Sequence, residues 1–468
     1  MKSRAPIHPS TSRLSRASVT GAAVAALFVS GLALAPNAQA APRQDPAEAG
    51  ATWLEGQLVD GVLLNVAFGS IDYGLSIDAG LALREVSGHR PAVRSIRRAV
   101  AGNIDAYITG EAFGDVGSTY AGATAKAAVF ADRTGADPRG FGGVNLISRL
   151  KATIATEAPI KGRIQDISGF GDFANVIGQA YAVEALLNRN PNAGKTDRAL
   201  GFLLKQQCEN GYFRLNFNPD PAEANQTCDG GTADESSPDT DTTALVVLSL
   251  VESGTTNPRA VRAIDDAAAW LGRRQGANGS FGGGTSTEGA NTNSTGLAAA
   301  ALGAVGAERR AAKAAAWIRR LQGYSPKPCR TGLTPERGAI AYDRLGFIAG
   351  VTDGITDETA DQWNRAHAQA LLALPWADLN RGAPTLTAPR RAVQAEGTVR
   401  LRVRNLEAGE RVCVFAKGFR QETATTYLSK RGRDVALPVP TPAGSAMRVY
   451  LLKALSETDR AVVRVRAE

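Results

Sequence analysis

Two carboxylates, Asp239 and Asp241, stand two residues apart in the run Asp239-Thr240-Asp241-Thr242-Thr243-Ala244, at the front of an apolar stretch. Such a pair can act as a general acid when burial or a neighbouring charge keeps one carboxyl protonated. It can also cap a helix by accepting from the N–H groups of the first turn. With Asp229, Asp234 and Glu235, the same acidic segment offers oxygens of the kind calcium takes, but the spacing fits no EF-hand loop. Of the three His in the chain, His8 lies in a segment read below as removed. His89 and His367 are then too few for a His-rich metal cluster. The four Cys form no CxxC pair, and none precedes a Glu-Gln pair as an internal thioester requires. No Gly-rich phosphate cradle with a Lys is present. The expectation is therefore no metal and no cofactor.

These residues must be held by a repeated scaffold. Phe202-Leu203, then Gln207, Gly211 and Phe213, match Trp270-Leu271, then Gln275, Gly279 and Phe281, offset for offset. A weaker copy runs from Trp317-Ile318 to Gln322, and another from Trp53-Leu54 through Gln57 to Gly61. Each copy reads as the end of one helix followed by a Gly-rich turn. A second, apolar helix then starts behind Asp, Asn or Thr, which satisfy orphan N–H groups. Ala298-Ala299-Ala300-Ala301-Leu302 is apolar nearly all round and must be buried. Second-helix starts fall near Tyr73, Tyr120, Phe173, Asp241, Asn293 and Asn364. Six helical hairpins, with apolar inner and amphipathic outer helices, describe a mainly α fold, an (α/α)6 toroid.

The segments around Phe202 and Trp270 resemble the glutamine-tryptophan (prenyltransferase/squalene oxidase) repeats of the squalene cyclase and prenyltransferase superfamily. The resemblance covers roughly residues 45–381. It implies the toroid and, among possible roles, terpenoid cyclisation, protein prenylation, cobalamin carriage or the undefined role of many exported bacterial proteins; the chain looks most like the last. The Asp239 run resembles the Asp-x-Asp-Asp-Thr-Ala stretch by which class II terpene cyclases protonate an alkene, but Thr242 stands where the final Asp belongs. Only 6% of residues are aromatic, which is lean for a cation-stabilising cavity. The zinc ligands of the prenyltransferases are not matched, and neither is any corrinoid contact.

Residues 384–468 read as about seven short alternating strands, a small immunoglobulin-like β-sandwich. They carry sixteen basic and eight acidic residues. Residues 1–40 add four basic and no acidic residues, which leaves −4 for residues 41–383 out of a total of +8. Lys2, Arg4, Arg13 and Arg16 precede the apolar run Val19–Leu34, and Ala38-Gln39-Ala40 offers a cleavage site. The expected layout is a signal peptide at 1–40, a toroid at 41–381 and a β-sandwich at 384–468. The mature protein is then secreted and extracellular, with cell-surface association open. No later stretch is long and apolar enough for a membrane helix. Export favours pairing of Cys208 with Cys228, while Cys329 and Cys413 could join two domains or remain thiols.

In a ring of inner helices, the helix-start loops surround one mouth of a funnel. Tyr73, Tyr120, Phe173, Asp241, Asn293, Trp363, Asn364 and His367 fall at such starts and make a candidate ligand site. The leading expectation is a non-enzymatic protein that binds a small molecule or a surface polymer in the funnel, with no nucleic-acid partner. The alternative is a terpene cyclase using Asp239 and Asp241 as acid. The third option is a structural spacer.

Overall fold

The inner helices are short; all but the last are apolar, and all but the second are capped from their own starts. They are α2 (Tyr73–Arg84), α5 (Ala121–Arg133), α7 (Val176–Leu187), α9 (Thr240–Glu252), α11 (Thr292–Ala304) and α14 (Asp357–Ala370). Asp72, Asn175, Asp239 and Asn291 accept from the first turns of α2, α7, α9 and α11. α5 has no cap of its own; Asp166 reaches across from the next loop to accept from Ala121 N at 2.7 Å. The cap of α9 is thus Asp239, and Asp241 sits in the first turn. The structure is a computed structural model that describes residues 45–232, 236–323, 329–379 and, beyond these, the strands of the tail with short adjoining stretches. The expected signal segment at 1–40 lies outside the described residues, as do Asp234 and Glu235.

Each inner helix packs on the next, and α14 packs on α2 to close the ring. The outer helices are α3 (Arg90–Gly102), α6 (Leu146–Ala152), α8 (Gly194–Leu204), α10 (Pro258–Arg274) and α12 (Glu308–Ile318), each against its inner partner. They are amphipathic. In α3, Val93, Ile96 and Val100 are buried while Arg94 and Arg98 are exposed. The sixth outer helix comes from the other end of the ring. α1 (Pro46–Gly56) packs on α14 and on the 3₁₀ turn Leu371–Trp376 that continues it. A short helix, α4 (Ile104–Ile108), and a further one, α13 (Arg344–Asp353), fill connections. A two-stranded hairpin, β1 (Leu63–Asn65) with β2 (Ser70–Asp72), leads into α2.

The repeated residues tie neighbouring outer helices together. Gln207 Nε2 donates to Gly211 O and to Ala263 O on α10, both at 2.9 Å. Gln275 donates to Gly279 O and to Arg310 O on α12. Gln322 donates to Gly338 O and to Pro46 O on α1. The turn glycine of each copy has positive φ and lies against a carbonyl of the same helix: Gly211 on Asp266, Gly279 on Lys313, Gly338 on Ala49. Any Cβ there would collide with backbone, so glycine is required.

A second lock ties each turn to its inner helix. The backbone N–H groups of Phe213 and Phe281 donate to Thr243 and Thr295, and that of Ile340 donates to His367 Nδ1. His367 therefore stands where the other repeats place Thr. In this register Asn364 matches Thr240 and Thr292, but α14 begins seven residues earlier. Thr356 and Thr359 form a capping box there and add turns that the repeat does not foreshadow.

Cys208 is bonded to Cys228, and Cys329 to Cys413. The second bond fastens the connection after α12 to the tail. The tail strands are β3 (Thr385–Thr387), β4 (Thr398–Arg404), β5 (Arg411–Lys417), β6 (Ala424–Leu428), β7 (Val435–Pro438), β8 (Ala446–Lys453) and β9 (Arg460–Arg466). They form two antiparallel sheets, ordered β3-β4-β7 and β6-β5-β8-β9. Among the described residues no helix is long and apolar enough to cross a membrane.

Candidate functional site

The inner helices enclose a central cavity of about 730 Å³, within the roughly 300–1,000 Å³ usual for small-molecule sites. Leu81, Leu245, Leu248, Leu297 and Trp376 form apolar wall. Polar groups interrupt it at a few points. Lys126 Nζ sits 2.7 Å from Asp78 Oδ1 and donates to Gly74 O at 3.1 Å. Burial is the largest influence and works against charge on this ammonium, but Asp78, Tyr181 and Asp72 together outweigh it and hold the Lys126 pKa above its ordinary value. Tyr107 and Tyr181 also line the cavity, and burial pushes both phenols up, so they stay protonated and able to donate.

Arg133, near one end, makes two 2.7 Å bonds to Glu184, whose side chain is fully enclosed. Burial opposes charge on Arg133, yet the facing carboxylate raises its pKa, and the fork-to-carboxylate geometry keeps the pair ionised. The cationic groups of the wall are thus each matched to a carboxylate. The cavity has room for a ligand with a large apolar body and a few hydroxyl, carbonyl or amine groups, which the phenols and the charged side chains of the wall can meet.

Of the residues expected at the mouth, Tyr120 and Phe173 line the cavity. Tyr73 opens α2 outside the wall. Trp363 is buried against Gly350. Asn293 and Asn364 each keep a buried Oδ1 without a hydrogen-bond partner, and neither lines the cavity. His367 is fully buried, donates to Gly50 O at 2.9 Å and packs on Trp53 at 4.6 Å between ring centroids. Burial drives its pKa down to about 3, so it stays neutral.

Asp239 and Asp241 lie beside α11 beneath the loop that begins Gly282-Gly283-Gly284. The cap bond from Thr242 N to Asp239 is 2.7 Å. Asp241 has one carboxylate oxygen buried without a partner, and its other oxygen lies close to Gly283 and Ser294. Burial first, then the Asp239 charge, push its carboxyl up to about 6, against the pull of the Ser294 hydroxyl. Among the described residues no group of His, Cys, Asp and Glu is placed to hold a metal.

No protein-family model and no curated protein matches this sequence. The chain is similar to a solved type II terpene cyclase. That protein, MstE from Scytonema in its apo form, is 15% identical, with 70% of this chain and 96% of that one covered at a TM-score of 0.47. An unsaturated glucuronyl hydrolase specific for heparin gives 13% identity, 71% and 95% coverage and a TM-score of 0.47. A protein from Actinoplanes gives 17%, 71% and 98%, and 0.46. What the cavity can do is read from its own residues.

Those residues went largely unnoticed in the sequence. Lys126 and Glu184 are single charges inside otherwise apolar inner helices, Ala-Thr-Ala-Lys-Ala-Ala and Ala-Val-Glu-Ala-Leu. A lone charge in a buried helix was the available signal.

Proposed function

We propose that this is an exported, non-enzymatic protein that holds an amphipathic small molecule in the centre of its helical ring. The observation that carries this reading is the cavity, apolar over most of its wall and interrupted by the Asp78–Lys126 pair, the phenols and the charged side chains Glu85, Arg133, Asp166 and Glu252. Two disulfides fit an oxidising compartment. The tail, with seven strands divided three and four between two sheets, supports an immunoglobulin-like sandwich that serves as a surface-contact module.

The test uses the mature protein and a neutral apolar fluorophore, N-phenyl-1-naphthylamine, displaced by a panel of sterols, polyprenols and fatty amides. Ala300 lines the cavity, and Ala300→Phe fills it. Binding lost in that variant, with the fold intact by circular dichroism, supports the reading. Binding equal to wild type places the ligand elsewhere.

One observation favours the cyclase alternative. The Asp241 carboxyl is held at about 6 beside Asp239, as a proton donor needs. It does not line the central cavity, and its neighbours are a glycine loop and Ser294. Cyclised product formed from squalene or geranylgeraniol by wild type, and lost in Asp241→Asn, would establish the cyclase and overturn the binding reading.

A further inference from the structure

Exposed large apolar side chains on the ring are confined almost entirely to one face. Among the described residues of the ring they all lie on connections from an outer to an inner helix, except Val261. Such connections share the face where inner helices begin. Three of them carry the same short pattern: Ala67-Phe68-Gly69-Ser70, Ala112-Phe113-Gly114-Asp115 and Gly169-Phe170-Gly171-Asp172. In each the Gly has positive φ and turns the chain back, leaving the ring of the Phe outward. Phe68 is 82% exposed, Phe113 76% and Phe170 58%; Val116, on the second loop, is 87% exposed. A residue repeated in three successive hairpins with no place in the core marks a contact surface. The second and third loops are braced together, Asp115 accepting from Ser168 Oγ at 2.6 Å and from Gly169 N at 2.9 Å.

We propose that this face docks on a lipid bilayer bearing anionic headgroups, with Phe68, Phe113 and Phe170 as the inserting side chains. Lone rings at the tips of separate tight turns suit a fluid interface, which accepts knobs without matching holes. Half of the acidic residues of these connections are tied inward: Asp72 pairs with Arg365, Asp172 with Arg163, Asp115 accepts from Ser168, and Asp166 accepts from Ala121 and Phe173. Asp60, Asp105, Glu111 and Glu157 are exposed, so the attraction to anionic headgroups must come from elsewhere.

The counter-charge comes from the tail, which is fastened to the same set of connections. Cys413 of β5 is bonded to Cys329 in the connection between α12 and α14, and Gly409 lies against the Ala316 carbonyl near the end of α12. The tail has eight more basic than acidic residues. Arg448 and Arg464, both exposed, stand opposite each other on β8 and β9. Like charges in that position destabilise a sheet, and an anionic surface relieves them. Apolar insertion and basic attraction are the two signals that together give stable peripheral binding. Docking of this kind does not depend on what the cavity holds.

The experiment is vesicle flotation of the mature full chain. Vesicles are phosphatidylcholine with phosphatidylglycerol in one arm and phosphatidylcholine alone in the other. Wild type is expected to float with the mixed vesicles and more weakly with the neutral ones. Phe68→Ser/Phe113→Ser/Phe170→Ser should lower partitioning at least about tenfold, with circular dichroism and fluorophore binding unchanged because these rings are outside the core. Arg448→Ser/Arg464→Ser should lower it on the mixed vesicles only. Wild type that stays soluble with both vesicles, or a triple variant that floats like wild type, overturns the proposal. Self-association of wild type that the triple variant abolishes, without flotation, would assign the face to a protein contact and overturn it as well.

Discussion

Replacing Asp241 with Asn should stabilise the protein at neutral pH, although the residue lies in the run that most suggests catalysis. In the native state burial holds this carboxyl at about 6, against an ordinary 3.8. At about 1.36 kcal/mol per pH unit, ionised Asp241 costs the fold on the order of 3 kcal/mol at pH 7. A carboxylate in the first turn of α9 gains roughly 0.3–1 kcal/mol from the helix dipole, which Asn gives up. The net gain should be about 2 kcal/mol.

The sign with pH follows from the raised native value. The penalty is complete above about 6, shrinks as pH falls and the native state takes up the proton first, and is gone below 3.8. His367 works the other way. Its native value of about 3 lies below the ordinary 6.5, so its contribution is present above 6.5 and lost as pH falls toward 3. The informative quantity is therefore the difference between wild type and Asp241→Asn, in which His367 cancels. Urea denaturation followed by Trp fluorescence from pH 4 to 8 gives that difference. It should be largest at pH 7 and close toward pH 4. A variant less stable than wild type at pH 7, or a difference flat with pH, would refute the reasoning.

Gln322→Leu should cost roughly 1–3 kcal/mol, because the carbonyls of Pro46 and Gly338 lose their donor; urea titration measures it. Arg133→Met leaves Glu184 enclosed without a counter-charge and should cost about 3–5 kcal/mol, most of it recovered when Glu184→Leu is added. Cys208→Ser/Cys228→Ser opens a loop of 20 residues and should lower stability by about 3 kcal/mol, and non-reducing peptide mapping should find the two joined in wild type.

The ring was legible because its repeats are chemical. Aromatic, Gln, Gly and Phe recur since each performs one bond or one close approach in every copy, and Gln207, Gln275 and Gln322 do the same work at three joints. The start near Tyr120 was harder to place because α5 borrows its cap from Asp166, 45 residues away, and no local window contains that partner. Asp241 and Asn293 stand two residues past the true caps, Asp239 and Asn291, a shift that polar-rich starts do not resolve. His367 reads as a ligand because it falls near a helix start; its structural counterparts are Thr243 and Thr295, and only the register of the folded repeat shows that. The cavity wall escaped notice because Tyr107, Lys126 and Tyr181 belong to three different helices and meet only when the ring closes.

That closure has a consequence for how the chain reaches its native state. Gln322 binds Pro46 across 276 residues and His367 binds Gly50 across 317. The first helix meets α2 and, through Glu55, His89 early, but its joints to Gln322 and His367 must wait until the last inner helix exists. A growing chain cannot complete the surroundings of Trp53, which bonds Glu336 and packs on His367, until late, and the ring can shut only after residue 370 is free. Pairing of such long sequence separation is slow. For a chain exported unfolded, as proposed above, this delay is an advantage, since the contacts that lock the ring cannot form until nearly all of it is on the far side.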